Sequence, residues 1–452
     1  MLFKMFFVLI ISSAFHRVHG FTCSCEHDWR SDYHCTFVDQ FVWTELDMLP
    51  IVGEHESGIS RDEVKSLTGD DSVIRIFPNL IIDQFVNLER VNMDRIYMEE
   101  FDQPIFHCER LRVVVVDDNT IPHVPGGIFQ NCRNLLMISL ANNRIWTIDK
   151  DAFIGTDLEI LSLENNKISA LHPSTFAPVP NLFDFYMNSN LIEVVHVDTF
   201  RALQKLHILD LSNNKIKFWT KDHLPDQPEL WKVNLAKNEI KTLSADVFVN
   251  APILTTIGLG QNLLKEIPNF IGLEVLLTFD LGGGKIKHLS AEPFKNMKNL
   301  QTLLLNFNEI ETVNFTFADN PDFLSALLTL DLSGNKLKRI PKGSIQLPVN
   351  VLNLNISSNQ LESLEVDGFF PIEQLRWLSA DNNLINKIER NFFNNVTEFT
   401  INLILNRCCN AFLRVNNSSD PIIESIIEEC SSASTLKVGN LVIFLMILTK
   451  YV

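Results

Sequence analysis

The sequence is short of positive charge. Its 452 residues carry 38 lysines and arginines against 55 aspartates and glutamates, which gives a formal net charge of −17. The first twenty residues contain no acidic side chain, so the rest of the chain is more acidic still. Such a surface repels phosphate backbones and anionic lipids, which argues against nucleic acid as a partner and against direct membrane binding.

The chain also lacks the common catalytic signatures. It contains no G-x-S-x-G, H-E-x-x-H or C-x-x-C motif, and its twelve histidines are scattered. Those motifs bring a nucleophile, a zinc site or a redox pair to one place. We therefore expect no enzyme activity, no metal and no cofactor.

A glycine-rich stretch, "LLTFDLGGGKI" at 276–286, looks at first like a phosphate-binding loop. A strict phosphate loop needs glycine five positions before the Gly284–Lys285 pair and Ser or Thr after it. Phe279 and Ile286 stand at those two positions. The spacing therefore argues against a nucleotide site.

Long apolar runs are absent near the amino terminus. Lys4 is followed by an apolar stretch of about half the roughly 20 residues that cross a bilayer. Small residues then precede a cleavage position at Gly20, as in a secretory signal. We interpret residues 1–20 as a signal peptide, and we expect disulfides rather than metal ligands among the eight cysteines.

One pattern organises most of the chain. "LHILDLSNNKI" at 206–216 has leucine at positions 1, 4 and 6, asparagine at 9 and an aliphatic residue at 11, and it recurs with a nearly constant period. The ninth position falls at Asn119, Asn143, Asn166, Asn190, Asn214, Asn238, Asn262, Gly284, Asn308, Asn335, Asn359, Asn383 and Asn406. A phenylalanine often follows ten positions later, as at Phe129, Phe153, Phe176 and Phe200.

These two periodicities make the chain resemble an extracellular leucine-rich repeat protein whose units have about 24 residues, with an insect-like amino-terminal region. The resemblance implies an α/β solenoid, a horseshoe with a parallel β-sheet on its concave face and irregular or short helical convex segments. Domains are expected at 21–87 (an N-terminal cysteine-containing cap with degenerate repeats), 88–407 (the solenoid) and 408–430 (a short C-terminal cap).

The repeat positions have distinct physical roles. Positions 4 and 6 point into the core from a short strand, and positions 3 and 5 point outward. The ninth-position amide can satisfy backbone groups of its own and the adjacent repeat. We expect a structural ladder of asparagines, with Gly284 as a strand-end turn. A local irregularity is expected over 260–335, where the step from Asn262 to Gly284 is short and the step from Asn308 to Asn335 is long.

Six cysteines lie at the two ends and resemble reduced forms of the caps of extracellular leucine-rich repeat proteins. The resemblance favours a Cys25–Cys35 pair and a pair of Cys430 with Cys408 or Cys409, and an odd cysteine at each end would allow a disulfide-linked homodimer. Cys108 and Cys132 share one register in adjacent repeats, so we predict a disulfide between them. Two buried free thiols are the alternative.

The carboxyl-terminal residues 431–452 combine small residues, a short polar spacer and an apolar run. That order resembles a glycosylphosphatidylinositol (GPI) attachment signal, although the spacer is short and Lys450 lies in the tail. The alternative is plain secretion with an unstructured tail. A lipid anchor would be the chain's sole link to a membrane.

Sequons predict glycans on the carboxyl-terminal half, at Asn314, Asn355, Asn395, Asn416 and Asn417. Asn355 falls at position 5, so its glycan would cover the concave face near that end. Residues 119–310 carry no sequon, which favours a ligand-binding surface there. Its candidates are Phe183, Asp184, Tyr186, Asp210, Trp231, Lys232 and Asn234, aromatic anchors among polar groups, with an ordinary solvated sheet as the alternative.

The sequence therefore predicts an exported cell-surface protein that binds another protein through its concave face, in adhesion, recognition or as a co-receptor, without catalysis. A soluble innate-immune recognition factor and a decoy receptor ectodomain are the alternatives. The residues do not identify the protein ligand.

Overall fold

The computed structural model describes residues 21–27, 33–38, 41–42, 51–54, 61–70, 72–316, 323–346, 350–365, 368–370, 374–394, 398–407, 411–417 and 420–432. The predicted signal peptide and residues 433–452 of the tail lie outside these ranges. The chain forms two compact units, unit 1 (Met1–Leu206) and unit 2 (His207–Val452).

Unit 1 is a stack of short strands in one main sheet. Their bounds are β1 Phe21–His27, β2 Tyr33–Val38, β4 Ile51–Glu54, β5 Ser66–Asp70, β7 Arg90–Asn92, β8 Val113–Val115, β10 Met137–Ser139, β12 Ile160–Ser162 and β14 Asp184–Tyr186. In spatial order they run β4, β1, β2, β5, β7, β8, β10, β12, β14, and all neighbours are parallel except β1 and β2.

Unit 2 repeats the arrangement and ends in an antiparallel pair of strands. Its strands are β16 Ile208–Asp210, β17 Lys232–Asn234, β18 Thr256–Gly258, β19 Thr278–Asp280, β21 Thr302–Leu304, β23 Thr329–Asp331, β25 Asn353–Asn355, β28 Trp377–Ser379, β30 Phe399–Asn402 and β31 Phe412–Val415. They follow chain order, and β31 is antiparallel to β30.

The return segments of the repeats hold very short strands and few helices. Parallel pairs are β3 Phe41–Val42 with β6 Val73–Ile74, β9 His123–Val124 with β11 Thr147–Ile148, β13 Ala170–Leu171 with β15 Val194–Val195, β20 His288–Ser290 with β22 Thr312–Asn314, β24 Ile345–Gln346 with β27 Phe369–Phe370, and β26 Ser363–Leu364 with β29 Lys387–Ile388. Among the described residues, the α-helices are α1 Asn79–Ile82, α2 Pro173–Phe176 and α3 Pro421–Ser432. Short 3-10 helices span Arg61–Glu63, Lys221–His223, Glu292–Phe294 and Arg390–Phe393.

The core follows the repeat pattern in each unit. Leucines at positions 4 and 6, such as Leu209 and Leu211, are fully buried, and so are the phenylalanines of the return segments, such as Phe153 and Phe248. Such short strands cannot bury this apolar surface alone, so stacking supplies the core. The predicted solenoid with a parallel β-sheet is confirmed in each unit, and the described return segments hold few helices.

The sequence between positions 36 and 87 fits the repeat template poorly, yet the fold places a repeat strand there. β5 pairs in register with β7, and Leu67 lies opposite Val91 as the inward residue. Gly69 takes the next inward position because the Phe37 ring fills the space, 2.6 Å from where a β-carbon would lie. A glycine at a leucine position hides this repeat from a leucine-based pattern.

The residue at the eighth position of the repeat adopts a left-handed backbone conformation, with positive φ, in successive repeats. Asp118, Asn142, Asn165, Asn213 and Asn382 have φ between 52° and 56°. Asparagine and aspartate tolerate this region better than most residues with a side chain. Other residue types also adopt this conformation at the eighth position, including Ser189, Lys237, Gln261, Phe307, Ser358 and Leu405. The repeat therefore imposes the turn even where the residue does not favour it.

Gly283 takes this eighth position with φ +71°, and a β-carbon on it would lie 2.5 Å from Gln261 Cγ. Gly282 and Gly284 face the amide oxygens of Asn306 and Asn308 at similarly short distances. The three glycines thus belong to a repeat turn, while β18, β19, β21 and β23 stay in register. Within the described residues of 260–335, the irregularity that the structure shows is the missing side-chain amide at Gly284, and positions 317–322 of the long step lie outside those residues.

Candidate functional site

The solvent side of the main sheet in unit 1, here called the outer sheet face, carries a column of apolar side chains. Val113, Met137 and Ile160 occupy the third position of successive repeats and lie opposite one another in register. Each is partly exposed. Apolar groups in this position contribute nothing to the core behind the sheet, so they are available to a partner.

The predicted residues of unit 1 continue this column. Asp184 lies in register beside Ile160, and Tyr186 Oη donates a long, 3.5 Å hydrogen bond to Asp184 Oδ2. Phe183 is partly exposed directly before the strand. The site therefore joins an apolar column to an acidic and aromatic end.

Val113, Met137 and Ile160 were not among the site residues expected from the sequence. The signal was present, because all three stand at position 3 of a recognised repeat, where polar residues are the norm for a solvated sheet. Aromatic, charged and polar residues suggested the predicted site, and aliphatic residues at the same register carry equal information.

Two partly buried acids, Asp94 and Asp117, lie at the edge of this face. Asp117 accepts hydrogen bonds from Ser139 Oγ and Ala141 N, each at 2.7 Å, and Asp94 Oδ1 accepts from Asp117 N at 2.9 Å. Desolvation by burial raises the pKa of both carboxyl groups, and the Asp118 charge raises the two pKa values further. These carboxylates give the apolar column a negative border.

The remaining predicted residues lie in unit 2. Asn234 Nδ2 donates to Asp210 Oδ2 at 3.0 Å, and Asp210 Oδ1 accepts from Ser212 N at 2.9 Å. Lys232 is partly exposed in β17, and the neighbouring Trp231 is 39% exposed. The seven predicted residues therefore form two groups, one in each unit, and the group in unit 2 is a polar network that uses part of its hydrogen-bonding capacity internally.

The ninth-position asparagines bond the repeats together within each unit. Asn143 Nδ2 donates to Val116 O of the preceding repeat at 2.8 Å, and its Oδ1 accepts from Ile121 N at 3.1 Å. The same pair of contacts recurs at Asn166, Asn190, Asn238, Asn262, Asn308, Asn335, Asn359 and Asn383. Asn214 donates to Leu211 O at 3.0 Å. These residues are buried and structural, so they are not available to a ligand.

The cysteines are largely in disulfides. The structure joins Cys25 to Cys35, and Cys108 to Cys132 with a Cα separation of 5.0 Å. Cys430 is also disulfide-bonded, while Cys408 and Cys409 lie outside the described residues. Cys23 is buried, with its Sγ 3.8 Å from that of Cys25. Because Cys25 is bonded to Cys35, these neighbouring sulfurs do not form a ready set of metal ligands.

The predicted glycosylation sites differ in accessibility. Asn314 is exposed, and Thr316 Oγ1 donates to its Oδ1 at 3.2 Å. Asn355 is partly buried, and its Nδ2, the atom that would carry a glycan, donates to Asp331 Oδ2 at 3.2 Å. Asn416 and Asn417 are exposed, and Asn395 lies outside the described residues.

Comparison with known proteins gives a consistent result. The leucine rich repeat family model matches residues 109–157, 142–192, 156–216 and 325–385. Human lumican is 35% identical over 123 residues, which covers 26% of this chain and 35% of lumican. Mouse Toll-like receptor 9 is 31% identical over 126 residues, which covers 27% of this chain and 12% of the receptor. The matched regions thus span about a tenth to a third of these relatives.

Solved structures share the fold. A chain of the LRIM1/APL1C complex superposes with a TM-score of 0.57 at 21% identity, covering 91% of this chain and 74% of that one. At this identity the likeness speaks for the fold alone. Among the described residues, no helix is both long and apolar enough to cross a membrane.

Proposed function

We propose, from the premise that this chain is a leucine-rich repeat protein, that it is an extracellular recognition protein without catalysis, and that the outer sheet face of unit 1 binds a protein partner. The apolar column of Val113, Met137 and Ile160 is the observation that carries the proposal. A solvated sheet has no need of three in-register apolar side chains on its wet side.

The chemistry of the face defines the partner surface. Apolar anchors with methionine among them suit a protein surface with protruding aliphatic or aromatic side chains, since methionine adapts its shape to a partner. The border of Asp94, Asp117 and Asp184 favours basic side chains around those anchors, because complementary charge steers association and specifies orientation. The partner is therefore a protein with an apolar patch bordered by lysine or arginine.

The test compares co-purified proteins. Met137→Glu places a charge in the middle of the apolar column, and Thr256→Glu places the same charge at the same repeat position in unit 2. Tagged wild-type protein and both variants are incubated with native extracellular fluid or intact cells, and bound proteins are quantified by mass spectrometry. We expect at least one partner to be lost with Met137→Glu and retained with Thr256→Glu. Equal capture by all three proteins would refute the binding face.

The extracellular location is supported by the predicted signal peptide and by the disulfides, which persist in oxidising compartments. A cell-surface location through a lipid anchor is a separate part of the proposal, and it depends on residues 431–452. Treatment of expressing cells with phosphatidylinositol-specific phospholipase tests it. Release of protein would support the anchor, whereas protein free in the medium without treatment would support a soluble recognition factor.

A further inference from the structure

Two small β-ribbons on the return side of unit 1 leave a gap between them. β9 pairs with β11, and β13 pairs with β15. In the first ribbon Trp146 N donates to Pro122 O at 3.0 Å, and in the second Glu193 N donates to Ser169 O at 3.0 Å. β11 and β13 belong to successive repeats, yet they do not pair.

The equivalent bond between the ribbons is missing. The repeats are joined at Lys167 N, which donates to Ile145 O at 2.8 Å, and they separate immediately afterwards. Within the described part of unit 1, Ser169 N–H and the Trp146 carbonyl pair with no protein group, and the hydroxyls of Thr147 and Ser169 make no protein hydrogen bond. The gap coincides with the step from Asn143 to Asn166, which is one position shorter than the steps on either side of it.

The gap contains a cavity of about 200 Å³, here called the ribbon slot. Exposed Trp146, Ser169, Ala170 and His172 line it, together with buried Leu171 and Phe176 and other neighbours. The Trp146 side chain is 63% exposed, unusual for so large an apolar group. The slot is smaller than the roughly 300–1,000 Å³ pockets that hold drug-sized ligands, so it suits a single ring.

The chemistry of the walls selects the occupant. An inserted peptide strand would need a second strand spacing between the repeats, but Met137 and Ile160 are paired directly at the main sheet. A purely apolar side chain would desolvate the Ser169 N–H and the Trp146 carbonyl without giving them partners. A hydroxyl group both donates and accepts, so a ring bearing several hydroxyls satisfies both.

The indole adds the apolar half of the recognition. Its face carries partial negative charge and attracts the polarised C–H groups on one side of a sugar ring, while the ring oxygens and hydroxyls remain free to bond at the edge. We propose that the ribbon slot binds one neutral hexopyranose residue of a glycan, stacked on Trp146 and hydrogen-bonded to Ser169 and Thr147. This site is separate from the outer sheet face and does not depend on the proposed function.

The test uses the full secreted protein after enzymatic removal of its own N-glycans. Saturation-transfer difference NMR is recorded with methyl α-mannopyranoside, methyl β-glucopyranoside, methyl β-galactopyranoside and methyl N-acetyl-β-glucosaminide as separate probes. We expect transfer to the ring C–H protons of at least one probe. Trp146→Ala should weaken that binding by about tenfold or more, and Trp377→Ala, which removes an exposed tryptophan from unit 2, should leave it unchanged.

Ser169→Ala keeps the indole and removes one hydroxyl at an exposed position, so it tests the polar wall in a folded protein. A larger dissociation constant for the glycoside in this variant, with an unchanged midpoint of thermal unfolding, supports the slot. Absence of transfer from all four probes, or binding that survives Trp146→Ala, would overturn the proposal. Competition for the same site by an apolar peptide but by none of the glycosides would assign the slot to a protein partner instead.

Discussion

Asn143 donates from Nδ2 to the carbonyl oxygen of Val116 in the preceding repeat, and its Oδ1 accepts from Ile121 N of that same repeat. One buried amide therefore satisfies a backbone acceptor and a backbone donor that neither repeat can pair alone. Successive repeats are therefore held together by buried hydrogen bonds as well as by apolar packing.

Asn143→Ala should lower the free energy of unfolding by about 3 kcal/mol, because it leaves buried backbone groups without partners. Arg144→Ala, at the next position and exposed, is the matched control and should change stability by less than about 0.5 kcal/mol. Chemical denaturation of both variants measures the difference. Equal stability of the two variants would show that the ladder is dispensable.

Gly283→Ala should destabilise unit 2 more than Gly343→Ala does. Both glycines have positive φ, but a β-carbon at Gly283 would meet Gln261 at 2.5 Å, while the space around Gly343 is open. We expect a loss of about 1 kcal/mol at Gly343 from the backbone conformation alone, and about 3 kcal/mol at Gly283 from conformation and overpacking. Similar losses in thermal or urea denaturation would contradict the packing described for the triple-glycine turn.

Removal of the Cys108–Cys132 disulfide should destabilise the chain by about 2–4 kcal/mol. Cys108→Ser, Cys132→Ser and the double variant should be equally affected, because each one removes the same cross-link. Denaturation under non-reducing conditions provides the measurement. Alkylation of both thiols in the unreduced wild-type protein would show instead that the two cysteines are free.

The stability of unit 1 should depend on Asp117 through pH. Burial raises the pKa of Asp117, so the folded chain binds this proton more tightly than the unfolded chain does. The folded state therefore loses stability as pH rises from the ordinary aspartate pKa through the raised value. Asp117→Asn should flatten that loss in denaturation midpoints measured from about pH 4 to pH 7.

Asp149→Asn is the control, because the stability that Asp149 contributes should change with pH in the opposite direction. A hydrogen bond from His123, with a second from Gly126 N, lowers the pKa of Asp149, so this carboxylate stabilises the fold above its ordinary pKa and the stabilisation is lost as pH falls through the lowered value. Its replacement should reduce stability at neutral pH, by little because the group is exposed. The same pH trend in both variants would contradict the assignment at Asp117.

The sequence by itself determined the repeat, its inward leucines and the ladder asparagines, because each unit carries the same local pattern at a nearly constant period and stacking is the one way to bury it. The same register brought Cys108 and Cys132 within bonding distance of each other. The strand at 66–70 does not match this pattern, because Gly69 stands at a leucine position. The space for a side chain there is filled by Phe37, which lies far away in sequence.

The repeat register marks which positions face solvent, and the tertiary structure decides how those positions combine into sites. The apolar column exists because Val113, Met137 and Ile160, each one repeat apart, are brought into register by the sheet. The hydrogen bond from Ser139 to Asp117 likewise connects positions one repeat apart. The gap between Trp146 and Ser169 also lies between residues of successive repeats. A repeat pattern specifies what each unit buries, but what a face presents depends on which side chains the stacking places next to one another.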